Sequence, residues 1–214
     1  MAQRVEMVLE PRKSPVQARS TASVDAILTA TIQVLLNIGK ERLTTTAVAA
    51  RAGVAVGTLY QYFPNKSALL QAVLLRHMNH VAETVEAACS AQHGRPVEEM
   101  AEPLVTEFLR AKMQDVRASV AMYAVSNDVD GAMIAKQTGV RVLRAMVAML
   151  RTAREPLADP LLAASMVQGA MAGVSRRLLE SDDPEALLRP MRAELIVFVG
   201  GYLENCTGRS GLPL

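Results

Sequence analysis

Hydrophobic residues recur every three or four positions along most of the chain, which is the spacing of amphipathic helices. The first stretch of this kind begins near Ser20. Its apolar stripe consists of Val24, Ile27, Leu28, Thr31, Val34, Leu35 and Ile38. Gly39 follows the stripe directly, and glycine is common just past the last turn of a helix. The pattern therefore predicts one helix that ends at Gly39.

Two short helices are predicted to follow the first one. Thr44 is placed to cap the first of them through its hydroxyl group. The inner face of this helix consists of Val48, Ala49 and Ala52. Gly53 tolerates the positive φ of a tight turn, and the next helix runs from about Val56 to Tyr62, before Pro64. Such a pair is typical of a helix-turn-helix, although any three-helix bundle could contain the same turn.

The remainder of the chain also has helical periodicity. A longer helix opens at Asn65, and its buried side consists of Leu69, Leu70, Val73 and Leu74. Further helices are predicted at about 96–112, 114–127, 132–153, 160–180 and 184–206. Pro103 should kink or divide the first of these. The prediction is an all-α fold with a basic arm (1–18), a three-helix helix-turn-helix domain (19–78) and a larger helical domain (79–214).

Composition narrows the class of protein. Half of the 214 residues are hydrophobic but only 3% are aromatic, with no Trp and 12 Met. This excludes a disordered chain and argues against an all-β fold. The N-terminus lacks the apolar core of a signal peptide, and the longest apolar run, residues 195–203, is too short to span a membrane. We therefore expect a cytoplasmic protein that is not inserted in a membrane.

Charge is distributed unevenly along the chain. The net charge is only +2, but residues 1–80 hold nine basic against four acidic side chains. A basic N-terminal half is a weak indication of binding to a polyanion such as DNA, and a solvated surface explains it equally well. The motifs have to decide between these two interpretations.

The segment from about residue 20 to 70 resembles the DNA-binding region of the tetracycline-repressor (TetR/AcrR) family. The resemblance rests on the order and spacing of Thr44-Thr45-Thr46, Val48-Ala49, Ala52-Gly53-Val54, Gly57-Thr58-Leu59-Tyr60, Tyr62-Phe63, Asn65-Lys66 and Leu69-Leu70. It implies a homodimeric transcription regulator, usually a repressor, that binds a palindromic operator in double-stranded DNA. It also implies a helical domain that binds a small molecule and dimerises through the last two helices.

The resemblance also implies roles for individual residues. The contacts to the DNA backbone would come from Thr45, Tyr60, Tyr62 and Lys66, and these set register without reading sequence. The bases would be read by Thr46, Val56, Gly57, Thr58 and Gln61. Thr44 is either a phosphate ligand or only a helix cap. The family commonly has Ser where this chain has Ala55, so one cap of about 1 kcal/mol is missing from the recognition helix.

The larger domain carries two further signals. Nine of the 12 Met lie between Met100 and Met191, which suits an adaptable apolar pocket, although any single Met is better explained as core filler. We hypothesise that an apolar effector is bordered by Phe108, Met113, Met122, Tyr123, Met146 and Met149. The last two helices carry small residues that permit close helix approach, as expected at a dimer interface: Gly169, Ala170, Ala172, Gly173, Gly200 and Gly201.

An enzyme and a protein-interaction module are the competing classes. No hydrolase, phosphate-loop or dinucleotide motif occurs, so no catalytic residue and no cofactor is predicted. His77 and His80 share a helix face but lack further ligands, so no metal site is expected. Neither Cys89 nor Cys206 has the basic neighbours that favour a thiolate. The remaining alternative is a helical protein-interaction or ligand-binding module that does not bind DNA.

Overall fold

The computed structural model describes residues 15–126 and 129–207 of the chain. Within these ranges it contains nine helices and no strand, which confirms the all-α prediction. The helices are α1 (Pro15–Arg42), α2 (Thr45–Ala52), α3 (Val56–Tyr62), α4 (Lys66–Ala91), α5 (Val97–Met113), α6 (Val116–Ser126), α7 (Gly131–Leu150), α8 (Pro160–Leu179) and α9 (Pro184–Thr207).

The first helix begins earlier than predicted. Its first residue is Pro15, because proline suits the first turn of a helix, where its missing N–H has no partner to lose. The last residues of the segment 1–18, which we expected to be an arm, thus lie in α1, whereas Arg12 and Lys13 lie outside the described residues. Gly39 interrupts the helix as predicted, with φ 78° and ψ 166°. Ile38, which we placed on the buried stripe, is exposed.

The hydropathy of α1 differs from our expectation that no segment of the chain is apolar enough to span a membrane. Its segment Ser20–Arg42 is long and apolar enough to cross a membrane by length and composition, a property that core helices of globular proteins share. Ile27, Leu28 and Leu35 are buried, and α1 packs mainly against α2. These contacts are those of a core helix.

Helix α2 is capped by hydrogen bonds at both ends. The Thr44 hydroxyl accepts a hydrogen bond from the Ala47 N–H at 3.1 Å, which confirms the predicted cap. At the other end Gly53 has φ 69° and ψ 29°, and the Val54 N–H donates to the Ala49 carbonyl at 3.0 Å. This is the pattern of a Schellman motif, which terminates α2 and redirects the chain into α3.

Two compact units divide between Leu69 and Leu70, within α4. The expected boundary after residue 78 falls in the same helix. In the second unit α5 packs most extensively against α9, which also packs on α8, and α8 packs on α7. Pro103 does not divide α5, which continues as one helix to Met113.

We predict that Gly53→Ala destabilises the protein by about 1 kcal/mol. A Cβ at this position would have no atom within 4 Å, so the cost arises from the left-handed backbone conformation and not from a clash. Gly57→Ala is the matched control, because Gly57 has equally open surroundings and helical geometry, so the added methyl should be neutral or slightly stabilising. Urea unfolding followed by circular dichroism measures both. Equal midpoints for the two variants would contradict the prediction.

Candidate DNA-binding surface and ligand cavity

The recognition helix predicted from sequence, α3, has one buried and one exposed side. Leu59 is fully buried, and Phe63, just past the helix, is buried with it. Because a helix brings positions i, i+1, i+4 and i+5 together, the exposed side consists of Val56, Gly57, Tyr60 and Gln61. Thr58 lies at the margin and is half-buried. The structure therefore places four predicted DNA contacts on one solvent-facing strip.

Helix α2 adds to this strip at its N-terminus. The Thr45 hydroxyl and the Tyr60 hydroxyl are hydrogen-bonded at 3.0 Å, so α2 orients an aromatic side chain of α3 that is 48% exposed. Thr46 is exposed, and Thr44 acts as the cap of α2. Two of the predicted backbone contacts are thus joined directly to each other.

The other two predicted backbone contacts have partners within the same unit. The Lys66 ammonium donates to the Lys40 carbonyl at 2.7 Å, near the end of α1. The Tyr62 ring is half-buried beside Phe63, with ring centroids 6.5 Å apart. Asn65 caps α4 by accepting from the Ala68 N–H at 2.8 Å. Lys66 is therefore held at a capped helix N-terminus, where the helix dipole favours a phosphate.

A cavity of about 1020 Å³ lies within the second unit. Its walls come from α4 to α8, and most of its lining is apolar: Leu74, Met78, Val81, Phe108, Met122, Tyr123, Val142, Met171 and Leu179. A cavity of this size and lining is typical of a site for a small molecule.

Three of the six predicted effector residues line the cavity. These are Phe108, Met122 and Tyr123. Met146 and Met149 have no exposed surface and lie in the hydrophobic core, while Met113 is buried away from the cavity. Methionine spacing on a helix does not separate a residue that faces a cavity from one that faces another helix, because both lie on the inner side.

Apart from Asp130, the charged groups in and beside the cavity fall into two clusters. In one, Glu180 accepts hydrogen bonds from the Tyr123 hydroxyl at 2.6 Å and from Arg176 Nε at 2.9 Å. The bond from Tyr123 and then the bond from Arg176 lower the pKa of Glu180. In the other, Lys112 Nζ contacts the Met78 sulfur at 3.5 Å, and burial lowers the pKa of Lys112. No described carboxylate forms an ion pair with this lysine.

His77 lies beside Lys112 in the cavity wall. Its Nε2 is buried, and no described residue forms a hydrogen bond with it. Burial, followed by the nearby positive charges of Lys112 and His80, lowers the pKa of His77 to about 4, whereas Asp115 acts in the opposite direction. The imidazole is therefore neutral at pH 7, and its buried Nε2 is free to interact with a ligand.

Lys112 and His77 were missed as cavity residues, although the sequence carried a signal for one of them. Lys112 follows Phe108 by four residues and so shares its helix face. His77 was considered only as a metal ligand together with His80, which instead contacts Gln114 Oε1 at 3.3 Å. Among the described residues no three metal-ligating side chains gather.

The thiol of Cys89 is buried, and desolvation followed by the charge of Glu86 raises its pKa to about 12. A thiol with this pKa is protonated at neutral pH and unsuited to redox sensing. This agrees with the expectation that the surroundings of Cys89 do not favour a thiolate.

The last two helices expose an unusual number of large apolar side chains. On α8 these are Leu161, Leu162 and Met166, and on α9 they are Val197 and Phe198. Val197 is 71% and Phe198 58% exposed. Gly169, Gly173 and Gly201 have open space where a Cβ would point. This apolar face, defined as the exposed side of α8 and α9, has no covering element among the described residues.

Comparison with known proteins agrees with this geometry. The sequence profile of the bacterial regulatory proteins of the tetR family matches residues 27–73, which include α2 and α3. That of the tetracyclin repressor-like C-terminal domain matches residues 96–203, half of the chain. The chain belongs to the tetR family of bacterial regulatory proteins. Membership in a family of regulators agrees with the prediction that the chain is not an enzyme.

Individual members of the tetR family show different degrees of similarity. The HTH-type transcriptional repressor KstR of Rhodococcus jostii is 32% identical over 142 residues, which are 66% of this chain and 65% of KstR. The match therefore spans slightly less than two thirds of that relative.

Two solved structures share the fold of this TetR-family chain. A TetR-family transcriptional regulator from Mesorhizobium loti has a TM-score of 0.68 at 18% identity, covering 87% of this chain and 96% of the other. SmeT of Stenotrophomonas maltophilia in complex with triclosan has a TM-score of 0.64 at 22% identity, covering 90% and 99%. At these identities the similarity establishes the fold.

We predict that His77 makes the stability of this TetR-family protein depend on pH below neutrality. The unfolded state takes up a proton near pH 6.5, whereas the folded state does so only near pH 4. Stability should therefore fall as the pH drops from 6.5 to 4, by roughly 3 kcal/mol from this group.

The His77→Gln variant should lack this component, and its free energy of unfolding should change less than that of the wild type between pH 7 and pH 4. His93→Gln, at an exposed position, is the control and should retain the wild-type difference. Urea unfolding at several pH values measures both. Parallel pH profiles for the wild type and His77→Gln would contradict the prediction.

Proposed function

We propose that the chain is a homodimeric transcription repressor that binds a palindromic operator and is released by a small, largely apolar effector. The observation that carries the proposal is the exposed strip of α3, formed by Val56, Gly57, Tyr60 and Gln61, on a helix whose opposite side is anchored by Leu59. Family membership and the repressor described for Rhodococcus jostii support it. The site of action would be the cytoplasm, where the DNA lies.

The two sides of the DNA interface would have different tasks. Thr45, Tyr60, Tyr62 and Lys66 would contact phosphates, since hydroxyl and ammonium groups at helix N-termini suit phosphate oxygens. Thr46, Val56, Gly57, Thr58 and Gln61 would face the base edges. Of these, Gln61 can read adenine through two hydrogen bonds, and the methyl group of Val56 can pack on thymine. Thr44 would act mainly as the cap of α2.

The cavity supports a response to a ligand. Its volume of about 1020 Å³ is sufficient for a small molecule, and Phe108, Met122 and Tyr123 give it flexible and aromatic walls. The solved complex of SmeT with triclosan shows a protein of this fold together with a small aromatic molecule. Effector and operator binding would be coupled reciprocally, so each weakens the other by the same factor.

The apolar face of α8 and α9 supports a homodimer. Large exposed apolar side chains in a contiguous region mark an interaction surface, and small residues beside them permit close helix approach. A two-fold axis through such an interface would relate two copies of α3, and binding of both to one operator requires them in successive major grooves, roughly 34–36 Å apart. A palindromic operator follows from that symmetry.

We predict that Lys66→Met and Gln61→Ala affect DNA binding in different ways. Loss of a phosphate contact should weaken binding to every sequence and reduce the dependence of log K on log salt by about one unit. Loss of Gln61 should change sequence preference at one position of each half-site, at a cost of about 1–3 kcal/mol for the preferred base.

Electrophoretic mobility shifts over a salt series, with DNA from the region upstream of the gene, measure both effects. Arg144→Met removes an exposed cation from α7 and should leave DNA binding unchanged. Identical behaviour of the Lys66 and Gln61 variants would disprove the division of tasks. Lack of any sequence-specific binding by the wild type would instead support a module that does not bind DNA.

We predict that Phe198→Glu converts a dimer into a monomer. A charge buried at an apolar interface without a partner should raise the dimer dissociation constant about 30-fold or more. Met133→Glu is the matched control, since Met133 on α7 is 53% exposed but lies outside the apolar face, and this variant should remain dimeric. Sedimentation equilibrium at micromolar concentration measures the association state. A monomeric wild type would refute the proposed dimer.

A further inference from the structure

The ligand cavity contains one cation that the described residues leave without a counter-ion. Lys112 lines the cavity, and its ammonium has a thioether sulfur at 3.5 Å as its hydrogen-bond partner. A thioether is a weak acceptor, and an ammonium group carries three donors. Burying a charge without a partner is unfavourable, so this arrangement favours any ligand that brings a negative charge to Lys112.

The other Lys or Arg side chain of the cavity lining is paired, and so is a neighbouring arginine on α7. Arg176, which also lines the cavity, binds Glu180 at 2.9 Å. Arg141 makes a two-pronged contact with Glu86, at 3.0 and 2.8 Å. Asp115, whose charge acts on His77, accepts a hydrogen bond from the Ala118 N–H at 2.9 Å and so caps α6. Asp130 also lines the cavity, and it forms no described ion pair with Lys112. Of the two basic side chains that line the cavity, Lys112 is therefore the one without a described carboxylate partner.

His77 gives this corner a second polar group. Its Nε2 is buried without a partner among the described residues, and the low pKa of His77 keeps the ring neutral at pH 7. A neutral imidazole with its proton on Nε2 is a hydrogen-bond donor to an oxyanion. One ammonium and one such N–H together suit a head group with a single negative charge, whereas a phosphate of charge near −2 would need more donors.

We propose that the effector is an amphipathic carboxylic acid whose carboxylate pairs with Lys112 and accepts a hydrogen bond from His77. Its apolar body occupies the cavity between Phe108, Met122 and Val142. This inference rests on the proposed function, because it names the chemical class of the effector, but the ion pair itself requires no DNA. A ligand held in this way is selected both by its apolar volume and by its charge.

The test compares acids with matched alcohols by isothermal titration calorimetry on the full chain at pH 7, without DNA. The probes are decanoic and tetradecanoic acid, a naphthyl-substituted alkanoic acid, and the three alcohols of the same skeletons. A buried charged hydrogen bond should make at least one acid bind about tenfold or more tightly than its alcohol. Equal binding within each pair, or no binding by any of the six compounds, would overturn the proposal.

Substitutions of Lys112 test whether this residue supplies the positive charge that binds the acid. Lys112→Met preserves the length of the side chain and should bring acid and alcohol to equal affinity while alcohol binding changes by less than about threefold. Lys112→Arg should retain the preference for the acid. Arg110→Met is the matched control, because Arg110 is exposed, is paired with Glu107 at 2.7 Å and lies outside the cavity lining. Full retention of the acid preference in Lys112→Met would overturn the proposal.

A second measurement does not depend on how well the variants fold. In the wild type, nuclear magnetic resonance of the Lys112 side-chain methylene next to Nζ reports its titration, and a bound acid should raise the pKa of Lys112 while the alcohol should not. An unchanged titration in the presence of saturating acid would contradict the ion pair.

DNA enters only in a final step that separates the two proposals. An acid that binds through Lys112 and lowers operator affinity supports both the ligand class and its role as effector. An acid that binds through Lys112 without changing operator affinity supports the carboxylate site and refutes its role as effector.

Discussion

The left-handed turn at Gly53 is the constraint on which the proposed DNA-binding surface depends. The Schellman hydrogen bonds end α2 at a defined residue, and the turn leaves only a few residues before α3 begins at Val56. The direction of α3 then follows from the burial of Leu59 and Phe63 on its inner side. The opposite side is exposed as a consequence, so local backbone geometry and core packing together determine which residues are available to DNA.

Helix α3 itself is short, and its N-terminus lacks a side-chain cap. Ala55 makes no side-chain cap, and seven residues are too few to be stable as an isolated helix. Its order must come from tertiary contacts, namely the buried Leu59 and the hydrogen bond between Thr45 and Tyr60. The exposed strip of α3 therefore depends on the stability of the unit around it, because unfolding of the core would also disorder this helix.

In the ligand cavity, affinity and selectivity come from different groups. Its apolar lining provides affinity for many molecules, since hydrophobic contact is non-directional. Selectivity must then come from the few polar groups, and these differ in kind: the cluster of Tyr123, Arg176 and Glu180 satisfies itself, whereas Lys112 and His77 do not. A cluster whose members bind one another stabilises the fold. Lys112 and His77 instead make the cavity selective for a ligand that supplies the missing charge and hydrogen-bond acceptor. Membership in the tetR family does not specify which polar groups of the cavity are paired, because the pairing depends on single residues within the shared fold.

The helical class, the order of the helices, the cap at Thr44, the turn at Gly53 and the family of the chain were all predictable from the order of its residues. Each of these depends on neighbours within a few positions, where helical periodicity and turn chemistry act. The inward-facing residues that border the cavity became clear only from the packing of the helices: Phe108 borders it, while Met146 lies in the core. The tertiary structure also revealed that Lys112 lacks a counter-ion and that Lys66 is bound to the Lys40 carbonyl. Charge pairing and cavity lining depend on side chains far apart in sequence, so local pattern cannot specify them.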